Sequence, residues 1–188
     1  MPFSFKKGQC ESHGEEGRAL SAEGQDCDHC GRDLFEMYSS LNPCFMTTAA
    51  LSLSQIAAFL RREFPQIYMH GEIFSVTEIG AGTCRMRMAY HESQLRPGGT
   101  ISGPAMMQLA DVSIWVALLG AIGEVPLAVT TNLSINFLRK PEPRALISTC
   151  RMLKIGKSLA VGEASLTSVG SEDIVAHAVA TYAIPPQK

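Results

Sequence analysis

The sequence predicts an α+β fold. Residues 105–119 are apolar on nearly every side, which is typical of a helix buried inside a protein. Much of the chain after residue 72 alternates apolar and polar residues with the period of a half-buried strand. Glycines and prolines separate these strands as turns. The simplest packing wraps an antiparallel sheet around the apolar helix.

The first predicted element is an amphipathic helix that begins at Ser52. Ser52 and Gln55 have the spacing of a capping box. Leu51 and Ile56 can add a hydrophobic staple. Apolar residues then recur at helical intervals until Pro65, which ends the helix. The apolar stripe indicates that this helix lies on an apolar surface.

Six strands are predicted around the buried helix, two before it and four after it. They cover residues 72–79, 84–90, 127–138, 146–155, 158–168 and 174–184. In the first strand after the helix, alternation places Thr131 on one face with Leu133 and Thr130 on the other with Asn132. The buried helix itself should begin near Pro104, capped by Ser102 or Gly103, and stop at Gly120.

Residues 1–45 differ in composition from the rest, because they are rich in polar residues and show no sustained period. We therefore predict a loosely ordered N-terminal extension over residues 1–45 and one folded domain over residues 46–188. Four residues of the extension could hold one zinc ion tetrahedrally: Cys10, His13, Cys27 and Cys30. We favour the alternative that they hold no metal, because two short spacings are a weak signal. No cofactor is expected.

The charge balance argues against nucleic acid and membranes as partners. The formal net charge is −2 and both signs are mixed along the chain. No apolar run is expected to reach the roughly 20 residues that span a bilayer. The first residues lack the apolar stretch of a secretory signal. Cys84 and Cys150 lie in apolar segments with a strand pattern, where we expect reduced thiols in the core. These observations predict a cytoplasmic protein.

Asp111 is the most informative residue, because it is a carboxylate in the middle of the apolar helix. Between Arg96 and Arg139 the only other charged residue is Glu124, which follows the helix. Burying an unpaired carboxylate costs several kcal/mol, on the order expected from transfer data. Asp111 must therefore either face a wet cleft or accept hydrogen bonds. Both cases mark Asp111 as a candidate for chemistry, and the alternative is a structural aspartate that hydrogen-bonds a neighbouring strand.

Gly103 stands where the buried helix begins, and its N–H has no helical partner there. Such a donor, with the positive end of the helix dipole behind it, can bind an oxyanion. The alternative is an ordinary helix cap. Asp111 lies about two turns further on, roughly 11 Å along the helix axis. This is too far for both groups to act on one carbonyl within one subunit, so the geometry favours a site shared across a two-fold interface.

At these residues the chain resembles the PaaI-type hotdog thioesterases. The run GTISGPAMMQLAD (residues 99–111) resembles the family's His-Gly-Gly…Leu-Ala-Asp signature. TTNLSINFLRKP (residues 130–141) resembles its central strand, and the run from Lys154 to Leu159 resembles the turn and strand that follow. The resemblance extends over about residues 51–184. It implies a hotdog fold, in which a curved antiparallel sheet wraps a long helix. It also implies acyl-CoA substrates, and homodimers or homotetramers with active sites at the dimer interface.

The resemblance also implies roles for individual residues. Asp111 would be the nucleophile or general base, and Gly103 would supply the oxyanion-hole amide. Thr130 or Thr131 would position water or the carboxylate, and the alternation leaves the choice between them open. Arg96 falls where relatives carry a polar group near the thioester. Apart from the resemblance, four further cations could meet the phosphates of CoA, although an ordinary solvated turn charge is the favoured interpretation of any one of them: Arg139, Lys140, Lys154 and Lys157.

Two departures from the family pattern bear on the mechanism. The usual His is Ser102 here, which can donate a hydrogen bond to the thioester but cannot do a histidine's acid–base work. The second Gly is Pro104, which has no N–H to donate. They leave open a non-catalytic acyl-CoA-binding module as the alternative function. A hotdog dehydratase ranks lower, because no His lies between His91 and His177. We expect those two and His70 to be structural or at the surface.

Overall fold

The structure is a computed structural model that describes residues 48–186. The helices are α1 (Leu53–Glu63) and α2 (Gly103–Ile122), and 3-10 turns cover Pro65–Tyr68 and Glu92–Gln94. The strands are β1 (Phe74–Gly80), β2 (Thr83–Met88), β3 (Leu95–Arg96), β4 (Thr100–Ile101), β5 (Val129–Phe137), β6 (Leu146–Ile155), β7 (Leu159–Ser168) and β8 (Ile174–Ala183). The extension predicted over residues 1–45, with its candidate zinc ligands Cys10, His13, Cys27 and Cys30, lies outside the described residues.

Six of the strands form one antiparallel sheet in the order β1-β2-β6-β7-β8-β5. Strands β1 and β5 are its edges within the described chain. In β2 and β7, and over most of β6 and β8, buried residues alternate with more exposed ones, as the period-two pattern predicted. The predicted α+β class is confirmed, and the arrangement is the curved sheet around a helix that the resemblance implies.

Helix α2 is the centre of the core. Thirteen of its residues are buried, and they pack against the inward faces of the sheet. By length and apolarity α2 could cross a membrane, so the expectation that no segment is long enough is wrong. Of its most apolar window, 72% is buried inside the protein. Its apolar surface is therefore covered by the protein's own sheet, which accounts for the composition without a bilayer.

Gly120 was expected to end α2, and this is wrong by a few residues. The helix continues to Ile122, and Gly123, with φ of 87°, occupies the C-cap. Gly120 is instead a contact point between α2 and the end of β1. A Cβ placed there would lie 2.5 Å from the carbonyl oxygen of Gly80 and 2.8 Å from the Cδ1 of Ile79. Only glycine lets the two backbones approach this closely.

The start of each helix follows the expected chemistry. Ser52 and Gln55 form the predicted capping box of α1. Ser102 is the N-cap of α2, and its hydroxyl accepts a hydrogen bond from the Ala105 N–H at 3.4 Å. Gly103 is then the first helical residue. The segment before it contains the small β3–β4 hairpin.

Candidate active site

Asp111 lies on α2 at the wall of an open cleft of about 290 Å³. Its side chain is half-buried. Apolar groups form most of the wall, including Val112, Trp115 and Phe64. Trp115 packs edge-on to Phe64 with ring centroids 6.1 Å apart. A charged group thus faces a water-accessible space inside an apolar surround, which is the arrangement that makes a carboxylate a candidate for chemistry.

Two hydroxyl groups hold the Asp111 carboxylate by the same oxygen. Thr130 Oγ1 donates to Asp111 Oδ1 at 2.7 Å, and the Tyr182 hydroxyl is 2.6 Å from the same atom. The Tyr182 hydroxyl also lies 2.6 Å from the Asp111 backbone carbonyl. Hydrogen bonds to a charged acceptor are about twice as strong as neutral ones, so the carboxylate is the favoured acceptor of the phenolic proton.

The position of Thr130 follows from a β-bulge in β5. Thr130 is the cross-strand partner of Tyr182 on β8, and the register shifts between Thr130 and Asn132. The extra residue, Thr131, turns its hydroxyl to the carbonyl oxygen of Thr181 at 3.1 Å. The predicted alternation, with Thr131 on the face of Leu133, is therefore wrong at this point. The bulge moves Thr130 onto the inner face, where it meets Asp111.

Tyr182 is a site residue that the sequence analysis missed. It is almost fully buried, at 2% exposure. Burial raises the pKa of its phenol, and the neighbouring negative charge of Asp111 raises it further. The phenol therefore stays protonated and able to donate. The available signal was that Tyr182 is the only aromatic residue of an alanine-rich strand, and a buried phenol needs a partner.

Gly103 lines a second cleft, of about 460 Å³, at the start of α2. Among residues 48–186 no acceptor pairs with its N–H, which leaves the donor free. The ring of Phe137 covers its Cα side, because a Cβ on Gly103 would lie 3.2 Å from the ring's Cζ. Arg96, Arg139 and Lys140 also line this cleft. Three of the predicted cations therefore surround the predicted oxyanion donor.

The structure does not bring all the predicted site residues together in one chain. Asp111 and Thr130 line the first cleft, whereas Gly103 and the three cations line the second. Ser102 lies beside Gly103 as the N-cap. Lys154 and Lys157 lie at the β6–β7 turn and line neither cleft as the described residues form them. The two halves of the predicted site are eight residues apart on α2, about 12 Å along its axis.

The three histidines within residues 48–186 line neither cleft. His177 Nε2 is 3.2 Å from a Glu163 carboxylate oxygen on the outer face of the sheet. His70 and His91 stack with ring centroids 5.4 Å apart. Within the described chain, no group of three or more His, Cys, Asp or Glu residues is arranged to hold a metal ion.

Comparison with known proteins identifies the family. The model of the thioesterase superfamily matches residues 98–175, a segment that includes Gly103, Asp111 and Thr130 but ends before Tyr182. The crystal structure of a protein with inferred thioesterase activity from Silicibacter sp. TM1040 is 45% identical. That match covers 73% of this chain and 94% of the other, with a TM-score of 0.67. A search of curated protein sequences finds no match.

More distant structures share the fold. Zebra fish thioesterase superfamily member 2 is 20% identical, covering 72% of this chain and 100% of the other with a TM-score of 0.64. A mutant of the phenylacetic acid degradation protein PaaI from Thermus thermophilus is 18% identical. Its match covers 60% of this chain and 93% of the other, with a TM-score of 0.53. At these identities the likeness concerns the fold alone.

Proposed function

Because this chain belongs to the thioesterase superfamily and has its hotdog fold, we propose that it hydrolyses acyl-CoA-type thioesters to a free acid and CoA. One observation carries the proposal. The only charged side chain on the buried helix α2 is Asp111, and it faces an open cleft while two hydroxyls hold one of its oxygens. A carboxylate so placed can act on a bound thioester.

The proposed site is shared between two copies of the chain. Strand β5 is a nine-residue edge strand, exposed or half-buried along its length, with the apolar side chains of Val129 and Phe137 in the open. Exposed edges of this kind pair readily with another strand. We therefore propose that β5 pairs with its own copy in a homodimer, whose further assembly into a tetramer stays open.

Two-fold pairing of β5 would join the two clefts. In an antiparallel pair centred on Leu133, the Thr130 end of one strand lies beside the Phe137 end of the other. Thr130 touches Asp111, and Phe137 covers Gly103. The carboxylate of one protomer would then face the free N–H at the helix start of the other. Within a single chain, Asp111 and Gly103 are too far apart along α2 to act on the same carbonyl.

The proposed reaction begins with the thioester carbonyl bound to the Gly103 N–H. That donor, at the positive end of α2, stabilises the negative charge that develops on the carbonyl oxygen. Asp111 then either takes a proton from the attacking water or attacks the carbonyl itself to form an anhydride that water opens. In both routes the C–S bond breaks, and the sulfur leaves as CoA thiol after gaining a proton. Both routes stay open.

The cations near Gly103 would bind the CoA portion. Arg96, Arg139 and Lys140 surround the second cleft and can neutralise phosphate groups at its mouth. Lys154 and Lys157 would act further along the ligand. Ser102 keeps its hydroxyl proton free to donate to the thioester, because its oxygen serves as acceptor in the helix cap. No cofactor is required by this chemistry. A cytoplasmic location is proposed with it, since Cys84 and Cys150 are buried free thiols.

Thiol release from a panel of acyl-CoAs tests the proposed activity. Wild-type protein should release thiol from at least one member, and Asp111→Asn should lower kcat by about 1000-fold or more while the fold is kept. Glu124→Gln is the matched control, because Glu124 is the other acid between Arg96 and Arg139 in the sequence and lies at the surface with Arg62. Equal turnover by Asp111→Asn and wild type would contradict the proposal.

A non-catalytic acyl-CoA-binding module is the second candidate function. Ser102 in place of the family's His and Pro104 without an N–H are the observations that favour it. Isothermal titration with the same acyl-CoAs separates the two. Saturable binding by the wild type without thiol release would establish the module and exclude the hydrolase.

A further inference from the structure

We infer that Tyr182 is a positioning residue for Asp111: its hydroxyl fixes Oδ1, so that Oδ2 is the oxygen that takes the proton from water or attacks the thioester. The inference rests on the proposed thioesterase activity and goes beyond it, because it assigns the two oxygens of one carboxylate to different tasks. Tyr182 would act on the reaction through Asp111.

The first support is that the two oxygens of Asp111 differ in their hydrogen bonds. Oδ1 is 2.7 Å from the Thr130 hydroxyl and 2.6 Å from the Tyr182 hydroxyl. Among residues 48–186, no donor pairs with Oδ2. A carboxylate oxygen that accepts two hydrogen bonds holds its negative charge more tightly and attacks less readily than a free one. The free oxygen is therefore the reactive one.

The second support is that the two donors are held with different rigidity. Thr130 lies on the exposed edge strand β5, whereas Tyr182 lies on β8 between β5 and β7 and is 2% exposed. Its ring is among the largest fully buried side chains of the core. Packing on all sides leaves the phenol one position, so the oxygen that it holds is also fixed. Thr130 alone, on an edge, would leave the carboxylate free to rotate.

The third support is that the phenol is a dependable donor. Burial and the adjacent carboxylate both raise its pKa, so that it carries its proton at every pH at which a thioesterase would work. A phenol that keeps its proton can donate to Oδ1 throughout that range. A purely structural hydrogen bond between β8 and α2 is the competing explanation, and kinetic readouts distinguish the two.

Tyr182→Phe is the direct test, because it removes one oxygen atom and keeps the ring. We expect kcat to fall about 10- to 100-fold, the factor that matches loss of a hydrogen bond to a charged group, while KM changes less than about threefold. The pH at which activity is lost on the acid side should rise. Tyr68→Phe is the matched control, since Tyr68 lies beside Arg61 away from the cleft. The inference would be overturned if Tyr182→Phe kept the wild-type kcat and lost activity on the acid side at the same pH as the wild type.

A second substitution covers the case in which Tyr182→Phe does not fold. Incorporation of 3-fluorotyrosine at position 182 keeps the size and the hydroxyl but makes the phenol a stronger donor. The acid limb of activity should then move to lower pH, and kcat should fall severalfold because the carboxylate is a weaker base. Both quantities would stay at their wild-type values if the hydroxyl only ties β8 to α2, and the inference would fail.

The variants separate this inference from the proposed function. If Asp111→Asn abolishes thiol release and Tyr182→Phe does not alter it, the thioesterase activity stands and only the role of Tyr182 is overturned. If Asp111→Asn turns over substrate like the wild type, or if the wild type releases no thiol from any acyl-CoA, the proposed function fails and the role of Tyr182 fails with it.

Discussion

Thr130 and Tyr182 are cross-strand partners on β5 and β8, and their hydroxyls meet at the same carboxylate oxygen of Asp111. One strand is the exposed edge of the sheet and the other is interior. The carboxylate is therefore held from one side by an exposed residue and from the other by an almost fully buried one. The two contacts should respond differently to substitution.

Thr130→Ala is expected to lower kcat about tenfold with little loss of stability. The side chain is exposed, so its removal leaves no cavity, and surface substitutions usually change stability by less than about 0.5 kcal/mol. The lost hydrogen bond to the Asp111 carboxylate accounts for the kinetic effect. Thiol-release kinetics and thermal unfolding measure the two quantities. Thr130→Ser keeps a hydroxyl and should retain most of the activity, and equal loss in both variants would contradict the prediction.

The raised pKa of Tyr182 predicts a stability difference on the alkaline side. In the unfolded chain the phenol ionises near its ordinary pKa of about 10, whereas the folded protein keeps the proton. Above that pH the unfolded state binds fewer protons than the folded state, so the free energy of unfolding falls by up to about 1.4 kcal/mol per pH unit from this group.

Tyr182→Phe removes this pH-dependent contribution. The amount by which its free energy of unfolding falls below that of the wild type should therefore shrink as the pH rises above 10. Urea unfolding of both proteins from pH 8 to pH 11 measures the deficit at each pH. A deficit that stays constant over this range would show that the phenol ionises equally in both states.

Glu163 provides the corresponding prediction on the acid side. Its hydrogen bond from Arg151, at 2.7 Å, lowers its pKa against the opposing effect of burial, and His177 adds to the lowering. A lowered folded pKa means that the carboxylate stabilises the fold above its unfolded pKa and that this contribution is lost as the pH falls through the folded value. Because Arg151 is largely exposed, the contribution should be at most about 1 kcal/mol.

Glu163→Gln should therefore be less stable than the wild type at pH 7 and equally stable near pH 3. Chemical denaturation across this range gives the comparison. Glu78→Gln is the control, because the Glu78 pair with Arg85 is longer, at 3.2 Å, and more exposed. Its stability should follow the wild type at both pH values, and a gap for Glu163→Gln that widens on acidification would contradict the assignment.

Helix α2 and Asp111 could be predicted from the sequence because both signals are local. An apolar run of this length is buried whatever surrounds it, and a lone charge within it stands out against its neighbours. The capping box of α1 is local in the same way, since Ser52 and Gln55 are three residues apart. These features depend on spacing along the chain and on nothing else.

Tyr182 and the choice of Thr130 could not be predicted, because both depend on which strands are neighbours. The pairing of β5 with β8 places Thr130 beside Tyr182, and the packing of β8 against α2 brings the phenol to Asp111. The bulge after Thr130 then shifts the alternation by one residue, which no period-two pattern can show in advance. The close approach of Gly120 to the end of β1 is likewise a contact between distant parts of the chain.

For Gly120→Ala, helix propensity and packing predict opposite changes in the free energy of unfolding. Propensity alone would stabilise the helix by about 1 kcal/mol. The new Cβ, however, would lie 2.5 Å from the Gly80 carbonyl oxygen, so α2 and β1 must separate. We expect a net loss of about 1–3 kcal/mol in the free energy of unfolding. Gln108→Ala, on the exposed side of α2, is the control and should change stability by less than about 0.5 kcal/mol.

The shared site predicts that two inactive variants restore activity when they are mixed. Asp111→Asn removes the carboxylate, and Gly103→Pro removes the N–H at the first helical position, where proline breaks no helical hydrogen bond. The new ring requires a small shift of the exposed Phe137 side chain. Each homodimer would lack one group at both sites. A heterodimer would carry one site with both defects and one intact site.

Random exchange of subunits makes half of the dimers mixed, each with one intact site of two, so an equimolar mixture should recover about a quarter of the wild-type activity. Refolding the two variants together and measuring thiol release gives the value. A mixture of Asp111→Asn with wild type, as the control, should show about half of the wild-type activity per subunit. No recovery in the mixture of the two variants, with dimers present, would mean that Asp111 and Gly103 act within one chain or not on the same carbonyl.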